Sequence, residues 1–326
     1  MSTMSTLSRG IFAAASVLAI TGALAGCAGS SDASGSDDAG DASTVRLAVN
    51  NTVASLPVVV ADEQGFFEEQ GLETTITPVA DITKLPPTLG KQYDIGFGVQ
   101  PTLIRAASQG VEIAMISGNA VTTEAKPEYI LMTRPDTNID GPEDLEGLKL
   151  GAPTLNGNIH IGTLYWLQEN GVDLEAVESV QVPTPTMVDQ LKAGLIDVAE
   201  MQQPFIDVAR EAGMVEAGYS LGAVGDPATM SSWQAATSWA EENPETLEKF
   251  RAALDEAIAW IQANDEDARD VLSEFTGIDR EVLGDSPLSD FTTAMSEDSI
   301  EQWDAPMRAV AGFDAEIDYS TLIVEP

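Results

Sequence analysis

Two stretches of the chain, YDIGFGVQPTLIRAASQG and IDVAEMQQPFIDVAREAG, align without a gap at an offset of 103 residues. The alignment pairs Asp94 with Asp197, Gln100 with Gln203, Pro101 with Pro204 and Gly110 with Gly213. In each copy a glutamine stands between an apolar, strand-like run and a helix that opens with proline, so its side chain falls at a helix N-terminus. Free amide N–H groups and the positive end of the helix dipole favour an anion or a carbonyl there, and glutamine can donate or accept. The chemistry expected of Gln100 and Gln203 is recognition by hydrogen bonding, one residue from each half. The competing reading is that each caps its own helix.

A second group lies in APTLNGNIHIGTLYWLQENG, where a loop with Thr154, Asn156, Gly157 and Asn158 leads into an amphipathic helix. His160 falls in its first turn, where the dipole disfavours protonation and the neutral imidazole is expected; a structural and a ligand-binding role both fit it. Asn51, Thr52 and Asn119 occupy analogous loops in the first half. Trp233, in SSWQAAT, either stacks on an apolar part of a ligand or packs in the core. Among the cations only Lys84 falls in a loop that would face a cleft, whereas Arg105, Lys192 and Arg210 read as exposed helix positions. An arginine clamp is therefore not expected. A small organic anion held by amides and one lysine, or a neutral heterocycle held by Gln and Asn, both fit this set.

The elements that must position these residues alternate. Val45 to Val49 reads as a buried strand, Leu56 to Gln64 as a helix stopped by Gly65, and Glu73 to Val79 as a strand. A helix around Leu85 to Leu89, a strand at Asp94 to Val99, a helix from Pro101 to Ser108 and a strand at Glu112 to Ser117 follow. Strands and helices at this spacing predict mostly parallel sheets flanked by helices, with ligands collected beyond the carboxyl ends of the strands. The 103-residue repeat is too long for a solenoid, so the fold class expected is α/β with two lobes facing each other across a cleft. Tyr129 to Pro135 is expected to cross between the lobes. The amphipathic segment NPETLEKFRAALDEAIAWIQAN, with Leu247, Phe250, Leu254, Ile258 and Ile261 at helical spacing, is expected to return and cover the first lobe. The lobes are then 44–132 with 230–326, and 133–229.

Composition narrows the partners. With 326 residues, two lobes are the default. Fifteen Lys+Arg against 53 Asp+Glu give a formal charge of -38, which repels nucleic acid and anionic lipid heads. One Cys and one His exclude an internal disulfide and a Cys/His zinc site. No metal and no cofactor are expected. Arg9 followed by an apolar stretch from Ile11 to Ala25 is too short to span a bilayer and suits a secretion signal, 1–26. Leu24-Ala25-Gly26-Cys27 resembles the lipobox of bacterial lipoproteins, which implies that Cys27 is lipidated and anchors the mature chain at the outer face of the cell membrane. Residues 27–43, of Gly, Ala, Ser and Asp behind the cysteine, form a self-repelling tether.

Other motifs fall away. DTNIDG, Asp136 to Gly141, begins like a calcium loop, but its twelfth position is Gly147 and the segment follows a strand, so it is read as a turn. No phosphate-cradling G-x-G-x-x-G or P-loop lysine and no G-x-S-x-G nucleophile elbow is present.

VVVADEQGFFEEQGLETTI resembles a signature of the nitrate, sulfonate and taurine substrate-binding proteins of ABC importers, the SsuA/THI5-like or NMT1-like family. DLEGLKLGAP, QLKAGLIDVAEMQQPF and ENPETLEKFRAALDEAIAWIQAN match further landmarks of that family, and the likeness covers about residues 45–275. It implies a two-lobed periplasmic-binding-protein-like fold of type II and a small solute in the interlobe cleft. The turn at 154–158 would receive the acidic head of the solute on backbone amides. It also implies a monomer that delivers its solute to a permease and ATPase pair and is not an enzyme. Two alternatives belong to other classes: a tethered sensor that presents its loaded form to a receptor, and an enzyme of thiamine pyrimidine synthesis. Enzymes of the latter kind carry a cysteine-rich motif that this chain lacks.

Overall fold

The computed structural model describes residues 43–285 and 287–325; the signal-like segment, Cys27 and most of the acidic tether lie outside them. In chain order the strands are β1 (Ser43–Val49), β2 (Leu72–Pro78), β3 (Ile95–Gly98), β4 (Ile113–Thr122), β5 (Tyr129–Thr133), β6 (Lys149–Ala152), β7 (Glu178–Gln181), β8 (Val198–Gln202), β9 (Val215–Gly218), β10 (Ala228–Ala236) and β11 (Asp290–Phe291). They form two sheets, β11-β4-β10-β3-β1-β2 and β7-β6-β8-β5-β9. In the first, β1 runs parallel to β2 and β3, and β10 is antiparallel to β3 and β4. In the second, β6 runs parallel to β7 and β8, and β5 is antiparallel to β8 and β9. The plan is the same twice. In both sheets the antiparallel strand beside the central parallel strands arrives from the other lobe.

The repeat reaches into hydrogen bonds. Asp94 Oδ2 accepts from Arg46 N at 2.8 Å, and Asp197 Oδ2 accepts from Lys149 N at 3.0 Å. The return bonds, Asp94 N to Arg46 O and Asp197 N to Lys149 O, are both 2.9 Å, and Val79 N to Val49 O and Val182 N to Ala152 O are both 2.8 Å. Each aspartate thus fastens the start of a central parallel pair, while an arginine neutralises its charge: Arg46 on Asp94 at 2.6 Å and Arg134 on Asp197 at 3.1 Å. Gly110 and Gly213 end the equivalent helices at φ of 82° and 83°, a left-handed conformation that glycine adopts without Cβ cost.

Two expectations are corrected, and one central strand has no counterpart among those expected from the sequence. Tyr129 to Thr133 does not cross between lobes but pairs with β8 and β9, because YILMT is β-prone and nearly all buried; the crossing is 123–128, and the return spans 219–227. The stretch ATMSSWQAA forms the central strand β10 ahead of the helical C-terminal part. The helix around Leu85 to Leu89 is instead two 3-10 turns, Ile82–Lys84 and Pro86–Thr88, since Pro86 and Pro87 remove the amide donors that an α-helix needs.

The helix Pro244–Ala263 packs on the first lobe as its spacing predicts, burying Leu247, Phe250, Leu254 and Ile261 in one cluster with Val58, Val60 and Phe67. Phe67 stacks on Phe250 with ring centroids 5.7 Å apart. A second cluster joins residues of both lobes: Leu103 and Ile104 of the first and Ile159 and Ile161 of the second meet Trp303 and Met307 from the C-terminal part. Trp303 Nε1 also donates to Thr229 O at 2.9 Å, which ties this bridge to β10. Among the described residues no helix is long and apolar enough to cross a membrane.

Candidate functional site

A cavity of about 230 Å³ lies between the lobes. From the first lobe Asn50, Thr52 and Ala54 line it from the turn after β1, with Phe97 and Val99 at the end of β3 and Met230 and Ser231 on β10. From the second lobe Pro153, Thr154 and Gly157 to Ile159 follow β6, Gln202 ends β8, and Tyr129 opens β5. The walls therefore come from the carboxyl ends of parallel strands in both sheets, the place where such folds collect ligands.

Each of the two main loops leads into a helix. The turn after β1 runs through Val53–Ser55 into the helix Leu56–Glu63, and the turn after β6 runs through Gly157 into the helix Asn158–Glu169. The first amides of the Asn158–Glu169 helix have no intrahelical acceptor and carry the positive end of its dipole, whereas at the Leu56–Glu63 helix Leu56 N donates to Val53 O and Pro57 has no N–H. No Asp, Glu, Lys, Arg or His side chain is among the lining residues. Tyr129 is the only titratable one, and burial and the neighbouring Glu128 push its hydroxyl well above the ordinary tyrosine value, so it stays neutral. The cavity can thus offer hydrogen bonds from Asn, Thr, Gln, Ser and Tyr side chains, helix-start amides, and apolar contact with Phe97, Ile82 and Met230.

Several of the residues predicted from sequence meet at this cavity. Thr52, Thr154, Gly157 and Asn158 all line it. Asn158 Nδ2 also donates to Met230 O at 3.1 Å, a hydrogen bond from one lobe to the other. Others stand behind the wall. Asn119 is buried, donating from Nδ2 to Ala54 O at 2.8 Å and to Ser231 Oγ at 2.9 Å, while its Oδ1 accepts from Trp233 Nε1 at 3.1 Å. Trp233 is fully buried and meets Phe97 and Phe250 edge-on, both at 5.9 Å between centroids. It packs in the core and backs Phe97 instead of facing the cavity. His160 is buried with its Nδ1 2.9 Å from Glu200 Oε1. That pair joins the start of the Asn158–Glu169 helix to β8, and so holds Asn158 and Gln202 in register.

The remaining candidates lie elsewhere. Asn51 is exposed and donates to Thr276 O at 3.4 Å, while its neighbour Asn50 takes the lining position. Lys84 is 82% exposed in its side chain and pairs with Asp81 at 2.9 Å. The Thr83 hydroxyl and Lys84 hold the Asp81 carboxyl below the usual aspartate range. Asn156 adopts a φ of 59° and lines a neighbouring hollow. Gln100 is fully buried at the first position of the helix Gln100–Ser108, with neither Nε2 nor Oε1 partnered. Gln203 is buried in the turn after β8, its backbone N–H donating to Glu128 O at 3.0 Å and its side-chain Oε1 without a partner. Val99 and Gln202, one position earlier in each repeat, line the cavity in their stead.

Two α/β lobes of one plan, joined by two crossings and enclosing a cavity walled by both, define the architecture of periplasmic solute-binding proteins. Solved structures share it. The periplasmic aliphatic sulphonate binding protein SsuA from Escherichia coli superposes with a TM-score of 0.73 over 87% of this chain and 92% of its own, at 16% identity. The periplasmic nitrate-binding protein NrtA from Synechocystis PCC 6803 does so with a TM-score of 0.60 over 74% of this chain and 69% of its own, also at 16% identity. In sequence, a Brucella abortus protein named provisionally as a binding protein is 24% identical over 224 residues, 68% of this chain and 67% of that one. The profile of the NMT1/THI5-like family matches residues 52–268, more than half of the chain. The protein belongs to that family.

Proposed function

We propose that the protein is the extracytoplasmic solute-binding component of an ABC-type importer, capturing one small organic solute between its lobes and presenting it to a permease and ATPase pair. The observation that carries this reading is the cavity whose walls are contributed by equivalent loops of two repeated lobes. A solute that touches both lobes binds only their closed arrangement tightly, and this differential affinity shifts the population toward it. The permease recognises the closed form. Cys27, through the lipobox-like sequence before it, anchors the protein by a lipid chain at the outer face of the membrane, with the residues between it and β1 as the tether. The solute is held and released chemically unchanged.

A thermal-shift screen of the purified protein against taurine, ethanesulfonate, nitrate, pyrimidines and aromatic acids tests this. A ligand of the native state raises the midpoint by mass action. Asn158→Ala and Gln202→Ala, from two different elements of the second-lobe wall, are each expected to weaken the responding solute about tenfold, as loss of a buried polar contact does. The unliganded midpoints should move little. Unchanged affinity in both variants, by calorimetric titration, would place the solute outside this cavity.

A further inference from the structure

The cavity has a neighbour. A hollow of about 340 Å³ is lined by residues adjacent in sequence to those of the cavity itself: Thr83 beside Ile82, Pro101 and Thr102 just after Val99, and Asn156 between Thr154 and Gly157. Three separate segments thus each contribute to both spaces, and Asn156 brings the second lobe to the hollow. The remaining wall is the outer side of the helix Gln100–Ser108 with Pro86 and Pro87.

Its charge is unlike that of the molecule. The chain carries a formal charge of -38, yet no Asp or Glu lines the hollow. Arg105 does line it, exposed and without a carboxylate partner among the described residues, whereas Lys84, the cation that the sequence pointed toward the cleft, is already paired with Asp81. A guanidinium at a mouth free of acidic side chains is a site for a carboxylate or a sulfonate. Gln100 stands in sequence between Val99, on the cavity, and Pro101, on the hollow, with both amide atoms buried and unpartnered. Buried donors and acceptors of this kind are uncommon, because each costs the desolvation of a polar group unless something bonds to it.

Resting on the solute-binding reading above, we propose that the cavity and the hollow form one elongated site, and that its ligand is an organic acid with an uncharged hydrogen-bonding head in the cavity and its anionic group at Arg105. The head takes the amide and hydroxyl groups of the cavity, and the charge stays at the mouth, where it remains partly hydrated. The cavity then needs no cation of its own.

The test uses the monoamides of succinic, glutaric and adipic acid as probes, each beside its diamide, in calorimetric titrations of the full protein. The acids are expected to bind better than the diamides, by about fivefold at the best length, as befits one partly exposed ion pair. Arg105→Ala should abolish that preference and Arg105→Lys restore part of it. Asn158→Ala should weaken acid and diamide alike, leaving their ratio unchanged. An acid preference that persists in Arg105→Ala, or no binding of any probe to the wild type at millimolar concentration, overturns the elongated site. The solute-binding reading fails separately, if the screen above yields no solute whose affinity depends on Asn158 or Gln202.

Discussion

Glu128→Gln is expected to raise the thermal midpoint by roughly 5–10 °C at pH 8 and to change it little near pH 4.5. Glu128 is buried in the first crossing, its amide donating to Thr122 Oγ1 at 3.0 Å and its carboxyl Oε2 without a partner. Burial pushes its carboxyl up to about 7 from an ordinary value of 4.5; the hydroxyls of Ser289 and Tyr129 pull it back only in part, and Asp290 and Lys126 act in opposite senses. Between these two values the folded protein holds a proton that the unfolded chain has released. Stability from this group is therefore fully present below about 4.5 and is lost as pH rises through 7. The loss amounts to about 3 kcal/mol. Glutamine does not titrate, so the variant keeps what the wild type gives up. Midpoints for both proteins between pH 5 and 8 decide the matter: the gap must widen with pH, and parallel profiles would falsify the assignment.

His160→Leu is expected to lower stability by about 1–3 kcal/mol, because it leaves the buried Glu200 without its hydrogen-bond partner. The two side chains are 4% and 0% exposed, so water cannot replace the imidazole. Burial already raises the Glu200 carboxyl above the usual range, and the hydrogen bond and charge of His160 hold it down. Without His160 the carboxyl takes up a proton rather than remain an isolated buried anion. Adding Glu200→Met should recover most of the loss, since replacing both partners of a buried hydrogen bond by apolar groups of similar shape is close to neutral. Solute affinity should not recover with it, because the pair sets Asn158 against Gln202. Urea unfolding and titration with the solute found by screening, on the single and double variants, separate the two effects; a double variant with full affinity would reduce the pair to packing alone.

The parallel core of both sheets was legible because its strands are short apolar runs and because the repeat is written in identities. Those identities also misled. Asp94 and Asp197 match because each fastens the same pair of strands, and Gly110 and Gly213 match because each ends the same helix. Residues that coincide across a repeat therefore record the shared scaffold. A solute without twofold symmetry asks for different contacts from each lobe, and Val99 and Gln202, which differ in type at equivalent positions, are the ones on the wall. Strand β10 escaped notice for another reason: eight of its nine residues are buried, so both faces are covered and no alternation of polar and apolar residues marks it. The roles of Trp233 and His160 needed three dimensions, since their partners Phe250, Asn119 and Glu200 lie far from them in sequence, between 17 and 114 residues away.

The crossed origin of β5 and β10 also governs the order in which the chain can be completed. Until residue 236 has left the ribosome, β3 and β4 have no strand between them, and two rows of backbone donors and acceptors stand open. The half made first is thus finished by the half made later, and a chain halted between Thr122 and Ala228 would expose a gap suited to a strand from another molecule. Premature truncation should yield aggregates and not a free-standing first lobe.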